Sequence, residues 1–272
     1  MTTAYICKTC GTQFAPSAAP PSACPICEDE RQYVPPGGQG WTSLPELQHS
    51  HMATFGDDGG VLGIGSSPSF AIGQRALLVR TPAGNVLWDC ISFIDETVVE
   101  LIRGIGGIAA IAISHPHYYS TMLEWSRAFG GVPVYLHAAD REWVMRAGPG
   151  IEWWEGETKE IGRGMTLIRA GGHFEGGTVL HWADGAGGKG AIFGGDILQV
   201  VADRKHVSFM RSFPNYIPLG AAAVRKIARI MEPWRFDAVY GAFWNRVIVQ
   251  GGKQAVMASA ERHIAWLERE AI

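Results

Sequence analysis

The chain is poor in charge. Lys, Arg, Asp and Glu make up 18% of its 272 residues, against about 25% in an ordinary soluble protein. The 23 basic and 26 acidic side chains leave a net charge of −3. No Lys/Arg block occurs, so nucleic acid is not an expected partner. No apolar run reaches the roughly 18 residues that span a bilayer, so no membrane association is expected. The segment Met1 to Tyr5 has neither a charged n-region nor an apolar h-region. A secretory signal is therefore not expected, and the cytoplasm is the expected location. The glycines follow no Gly-X-Y period, which excludes a collagen-like fibre. Disorder is excluded as well, because 47% of the residues are hydrophobic and a sizeable core is available.

Glycine is plentiful: 35 residues, nearly twice the usual share of about 7%. That excess predicts many tight turns and close backbone approaches. At about 150 residues per domain, the length predicts one large domain with a small appendage. The expected boundary lies near residue 40. Residues 1–40 then form the appendage and 41–272 the main domain, with the Pro/Gly-rich stretch 34–45 as a linker.

The appendage holds four of the five cysteines as two C-x-x-C pairs, Cys7/Cys10 and Cys24/Cys27. Each short loop lets both sulfurs face one cation, and two such loops complete a tetrahedral S4 set. A redox C-x-x-C needs a βαβ setting, which neither pair has. So short a segment cannot bury enough apolar surface to fold alone, and metal binding supplies the missing free energy. The segment resembles a rubredoxin-like or zinc-ribbon knuckle. Structural zinc is the favoured metal and electron-transfer iron the alternative.

In the main domain, short strand-like runs recur at 76–80, 86–89, 108–113, 132–136, 165–169, 178–182, 191–193 and 237–240, each bounded by Gly, Pro or Asn. Helical patterns cover 95–103, 121–129, 219–231 and 254–270. The order suggests an α+β fold of two mixed sheets with helices outside. The apolar run Ile108–Ile113 ends in Ser114-His115-Pro116-His117-Tyr118-Tyr119-Ser120. In an extended segment alternate side chains share a side, so His115 and His117 are expected to face one metal. His173 in a glycine-rich loop and Asp196 at a strand end are further candidate ligands.

These motifs resemble the metallo-β-lactamase superfamily from about residue 70 onward. His115-Pro116-His117-Tyr118-Tyr119-Ser120 aligns with H-x-H-x-D-H, Gly172-His173 with the G-H motif and Gly195-Asp196 with the G-D motif. Val239 to Phe243 aligns with the last motif. The resemblance implies an αββα sandwich. It also implies a second metal held by the Asp and second His of H-x-H-x-D-H and by a final His. Here those positions are Tyr119, Ser120 and Phe243, none a good ligand for a divalent ion.

The expectation is thus a mononuclear zinc or iron centre of His115, His117, His173 and Asp196. It would belong to a metal-dependent hydrolase acting on a small-molecule substrate. Asp196 and Tyr119 are its candidate catalytic groups, Tyr119 as a hydrogen-bond donor. Two alternatives stand beside it: a non-haem iron oxygenase or redox protein using His115, His173 and Asp196, and an inactive binding module that keeps the fold. Asp89 is expected to support the site from behind or bond backbone rather than ligate, and Cys90 to pack. Tyr118 and Tyr119 are candidates for the mouth of the site, and the Trp153-Trp154 pair either caps a substrate cleft or packs. A homo-oligomer is compatible with the sequence.

Overall fold

The computed structural model describes residues 2–162 and 164–269. The appendage is built around β1 (Tyr5–Cys7) and one helical turn, α1 (Pro25–Glu28), followed by β2 (Trp41–Ser43). β1 and β2 pair antiparallel, Cys7 opposite Trp41. The expected linker is therefore partly regular. Its end supplies β2 and runs directly into α2 (Leu44–Ser50), where Ser43 and Glu46 close a capping box that satisfies the first free N–H groups.

The first sheet takes its strands in sequence order: β3 (Met52–Asp58), β4 (Val61–Ser67), β5 (Ala76–Val79), β6 (Val86–Trp88), β7 (Ala110–Ala112), β8 (Val134–His137) and β9 (Ile151–Trp154). β3 to β6 form an antiparallel meander, and β6 to β9 run parallel. The first two parallel crossings run through helices, α3 (Glu96–Gly104) and α4 (Met122–Ala128), and the third through a 3₁₀ segment, Ala138–Trp143. α3 starts where Asp95 accepts from the Val98 N–H at 2.8 Å, and its buried face is Val98, Val99 and Ile102.

The second sheet contains β10 (Thr158–Gly162), β11 (Met165–Arg169), β12 (Thr178–Trp182) and β13 (Ala191–Gly195), with the tight α5 turn (Gly185–Gly188) between the last two. Two small hairpins follow, β14 (Gln199–Val200) with β15 (Val207–Ser208), and β16 (Met210–Ser212) with β17 (Ile217–Pro218). After α6 (Ala221–Met231), β18 (Ala238–Gly241) joins β13 in parallel, β19 (Val247–Ile248) closes the edge, and α7 (Gly252–Leu267) packs outside.

The sheets meet face to face. Val79, Val86, Trp88 and Ala112 of the first interdigitate with Leu167, Leu180, Phe193 and Tyr240 of the second. α3 and α4 cover the outer face of the first sheet through Val98, Ile102, Leu123 and Trp125. α6 and α7 cover the second through Val224, Ile227, Val256 and Ala260. This is the expected αββα sandwich. Among the described residues no helix is long and apolar enough to cross a membrane.

Candidate metal centre

Strand ends place the site. β7 stops at Ala112, and Asp89, just past β6, accepts from the Ser114 N–H at 2.7 Å. Burial pushes the Asp89 carboxyl up to about 6. Asp89 thus bonds backbone, as expected, and does so from a left-handed φ of 61°. The Ser114 hydroxyl in turn meets His115 Nδ1 at 2.8 Å, which turns Nε2 inward.

The following segment is not extended. His115 has φ −170°, but Pro116–Tyr118 is a 3₁₀ turn. Proline at its first position suits helical φ rather than a strand. The two imidazoles still converge, with ring centroids 5.0 Å apart. The same turn buries Tyr118 and Tyr119, at 0% and 3% exposure. Tyr118 donates to the Ala242 carbonyl at 3.0 Å. Tyr119 lies in the core on the helix side of the first sheet and burial raises its pKa further. It does not line the cavity described below, so the placement expected of Tyr119 is corrected: its phenol is a core group. Ser120 donates to the Cys90 carbonyl, and Cys90 is packed, as expected.

His173 is carried by the glycine-rich loop between β11 and β12. Its Nδ1 meets the Met210 carbonyl at 3.1 Å, which requires the proton on Nδ1 and leaves Nε2 as a free lone pair. That Nε2 lies 3.3 Å from His117 Nδ1. Asp196 follows Gly195, whose φ is +51° and whose Cα sits so close to Ser114 that a Cβ would stand 2.8 Å from its hydroxyl. Asp196 Oδ2 is 3.5 Å from His115 Nε2.

The four donor atoms lie within 4.8 Å of one another on buried side chains. Three atoms at the site lack any hydrogen-bond partner: His115 Nε2, His117 Nε2 and Asp196 Oδ1. A cation between His115 Nε2, His117 Nδ1, His173 Nε2 and Asp196 Oδ2 would complete the first of these and relieve a cost of about 1–3 kcal/mol. The separations of 3.3 and 3.5 Å match the edge of a tetrahedron with metal–nitrogen bonds of about 2.0–2.1 Å, which is roughly 3.3 Å. Burial holds His117 well below the usual histidine range and takes His173 down to about 3. Both are neutral at pH 7, the form that binds metal. The residues present fit a divalent cation.

The cysteine cluster fits one as well. Cys7 and Cys27 sulfurs are 3.6 Å apart, and those of Cys10 and Cys24 are 3.7 Å apart. A tetrahedral S4 site with bonds of about 2.3 Å has edges of roughly 3.8 Å. Hydrogen bonds from the neighbouring thiols pull the Cys7 thiol below its usual range, and Gln39 Nε2 donates to the same sulfur at 3.0 Å.

The knuckle touches the histidine site directly. Gln74 Nε2 lies 3.4 Å from both the Cys10 and the His117 carbonyls. Gln13 N–H donates to the Ser120 carbonyl. A cavity of about 350 Å³ opens over His117, His173 and Asp196, and its other walls are Arg31, Gln32, Tyr33, Ala71, Ile72, Phe213, Pro214 and Phe243. Three of these come from the knuckle's tail and two from the β16–β17 hairpin. Sequence reasoning missed them because no motif marks a residue that reaches a site by domain docking. The Trp153-Trp154 pair is absent from the wall: Trp154 is core, and Trp153 packs under Arg141.

No protein-family model matches the chain. YmaE of Bacillus subtilis (strain 168), an uncharacterized protein, is 46% identical over 269 residues, covering 98% of this chain and 97% of YmaE. Among solved structures, the DIM-1 metallo-β-lactamase superposes with a TM-score of 0.56 at 12% identity, over 77% of this chain and 97% of that one. The mono-zinc form of the metallo-β-lactamase FIM-1 from Pseudomonas aeruginosa gives 0.54 at 14%, over 77% and 95%. The chain belongs to the same family as YmaE, and its larger part has the metallo-β-lactamase fold.

Proposed function

We propose that this protein is a metal-dependent hydrolase with one divalent cation held by His115, His117, His173 and Asp196, and with a structural metal in the cysteine knuckle. The observation that carries the reading is the set of four buried, converging donors, one of which, His115 Nε2, has no hydrogen-bond partner. His117 stands as close to its neighbours as Asp196 does, which favours the four-donor set over a facial triad lacking His117. A single cation is favoured because the positions of the superfamily's second metal hold Tyr119, Ser120 and Phe243. Tyr119 is turned into the core, and Phe243 offers the cavity only an apolar ring.

Bound zinc would supply Lewis acidity and lower the pKa of a coordinated water towards about 7. The chain's own groups do the rest. Met210 fixes the tautomer and orientation of His173, and Ser114 fixes the orientation of His115. Asp196 is the one acidic group on the cavity wall, and its unpartnered Oδ1 is the acceptor for a proton lost by an attacking water. The apolar walls limit access of bulk water.

Elemental analysis of the purified full chain tests the metal reading. Two metals per chain are expected, falling to one in His173→Ala. One metal per chain, unchanged by that substitution, would refute the histidine centre. For the hydrolase reading, zinc titration should raise turnover of some ester, thioester, lactam or phosphodiester in step with occupancy of the histidine site. A fully loaded chain inert towards all four classes would overturn the hydrolase reading.

A further inference from the structure

The cavity has one fixed cation, and it comes from the knuckle. Arg31 lies four residues after Cys27 and is 6% exposed. Its guanidinium is held on three sides. Asp29 takes Nη2 at 2.8 Å and also engages Nε, and Arg31 keeps that carboxyl below its usual range, so the pair is ionised. The rings of Phe174 and Trp143 lie 3.8 and 4.9 Å from Cζ. Nη1 points to the His173 carbonyl at 3.4 Å, a long contact that leaves donor capacity on the cavity side. The backbone is clamped too: Ser212 donates to the Arg31 carbonyl, and Asn215 Nδ2 donates to the carbonyls of Glu30 and Gln32.

A guanidinium stacked and forked in this way has lost its rotamer freedom already, so a ligand pays little to order it. Asp29 offsets much of its charge, so what the guanidinium offers a ligand is chiefly its remaining Nη N–H donors, held away from bulk water. The rest of the wall beyond the metal donors is largely apolar: Ile72, Phe213, Pro214 and Phe243. We infer that Arg31 is the specificity-determining anchor of this cavity, and that its ligands are small molecules with a metal-binding group at one end and a carboxylate at the other. This rests on the metal reading above and adds the substrate class to it. The knuckle then serves as the ligand-recognising wall of the site as well as its brace.

The test uses the zinc-loaded full chain and two probes of near-equal shape, mercaptoacetate and its neutral amide, mercaptoacetamide. Both offer a thiolate to the metal, and only the first offers a carboxylate. Binding is read by titration calorimetry. Arg31→Gln should weaken mercaptoacetate by about tenfold or more and mercaptoacetamide by less than about twofold, with Arg31→Lys in between, since Lys keeps the charge and loses the fork. A merely structural role for Arg31 would weaken both probes alike, and that result overturns the proposal. So does Arg31→Gln leaving both affinities unchanged. If the wild-type chain binds neither probe and carries no metal at the histidines, the metal reading itself falls. His173→Ala measures any heat arising from the cysteine site.

Discussion

Asp140 offers a perturbation whose opposing energies can be worked out. Its Oδ1 accepts from the Gly176 N–H at 2.7 Å, in the loop that carries His173, and the side chain is 2% exposed. Gly176 is buried and so close that a Cβ there would stand 2.7 Å from the carboxyl carbon. Burial pushes the Asp140 carboxyl up to about 6, outweighing the hydrogen bond that pulls it down. Against an unfolded value near 3.9, the folded chain binds this proton more tightly. Wild-type stability therefore falls as pH rises from about 4 to about 6, then stays level, by an amount of order 2–3 kcal/mol. Asp140→Asn keeps the acceptor and removes the charge. It should match wild type at pH 4 and exceed it by about 1–2 kcal/mol at pH 8, after allowance for the new amide N–H₂. Asp140→Ala strands the Gly176 N–H and should lie about 1–3 kcal/mol below the Asn variant at every pH, since neither side chain titrates. Thermal unfolding followed by circular dichroism at the two pH values reads both differences, at roughly 2–4 °C per kcal/mol. Added zinc should shrink the gap between wild type and Asn at pH 8, because a cation at the histidines favours the carboxylate. If the Asn and Ala variants melt together, the hydrogen bond does not hold the loop. A gap between Asn and wild type that is equal at pH 4 and pH 8 would refute the buried-charge argument.

Two further outcomes follow from the same geometry. His173 is held neutral down to about 3, against about 6.5 when unfolded, so the unfolded chain binds the extra proton and stability should decline as pH drops from about 6.5 towards 3; a metal-free chain with a flat melting temperature across that window would contradict the buried, neutral assignment. Gly195→Ala drives a methyl into Ser114, 2.8 Å from its hydroxyl, and should lower zinc affinity at the histidine site by about 10–100-fold through misplaced His115, measured by chelator competition; unchanged affinity would mean that Ser114 does not orient the imidazole.

The parts of this protein that announced themselves in the sequence are those where local pattern and final geometry agree. Met165–Arg169 and Thr178–Trp182 are alternating runs bounded by turn residues, and both are strands at those limits. The metal donors were legible because each sits in a recognisable motif, at a strand end or in the turn or glycine-rich loop that follows one. β3 and β4 were not, since Gly56, Gly63 and Gly65 dilute their β-forming residues. The structure supplies the reason for those glycines: the Trp244 ring lies across all three, and a Cβ at Gly63 would stand 2.5 Å from it. The 3₁₀ turn after His115 was hidden by the apolar run before it, which reads as a strand continuing. Arg31 and the β16–β17 wall carried no local signal at all, because their role arises only when the knuckle docks.

That docking has a timetable. Cys27 completes the thiolate set early in synthesis, whereas Asn215, whose amide fastens the carbonyls on either side of Arg31, is roughly 190 residues further along. At about 5–20 residues per second, the ribosome needs roughly ten to forty seconds to cover that distance. On the metal reading proposed above, the knuckle has its four cysteines ready for an ion throughout this interval, while the arginine has no hairpin to rest on and the histidines are still emerging. On that reading each nascent chain meets the metal supply twice, first with sulfur and later with nitrogen and oxygen, and a soft ion held by the cysteines would be out of competition when the second site forms.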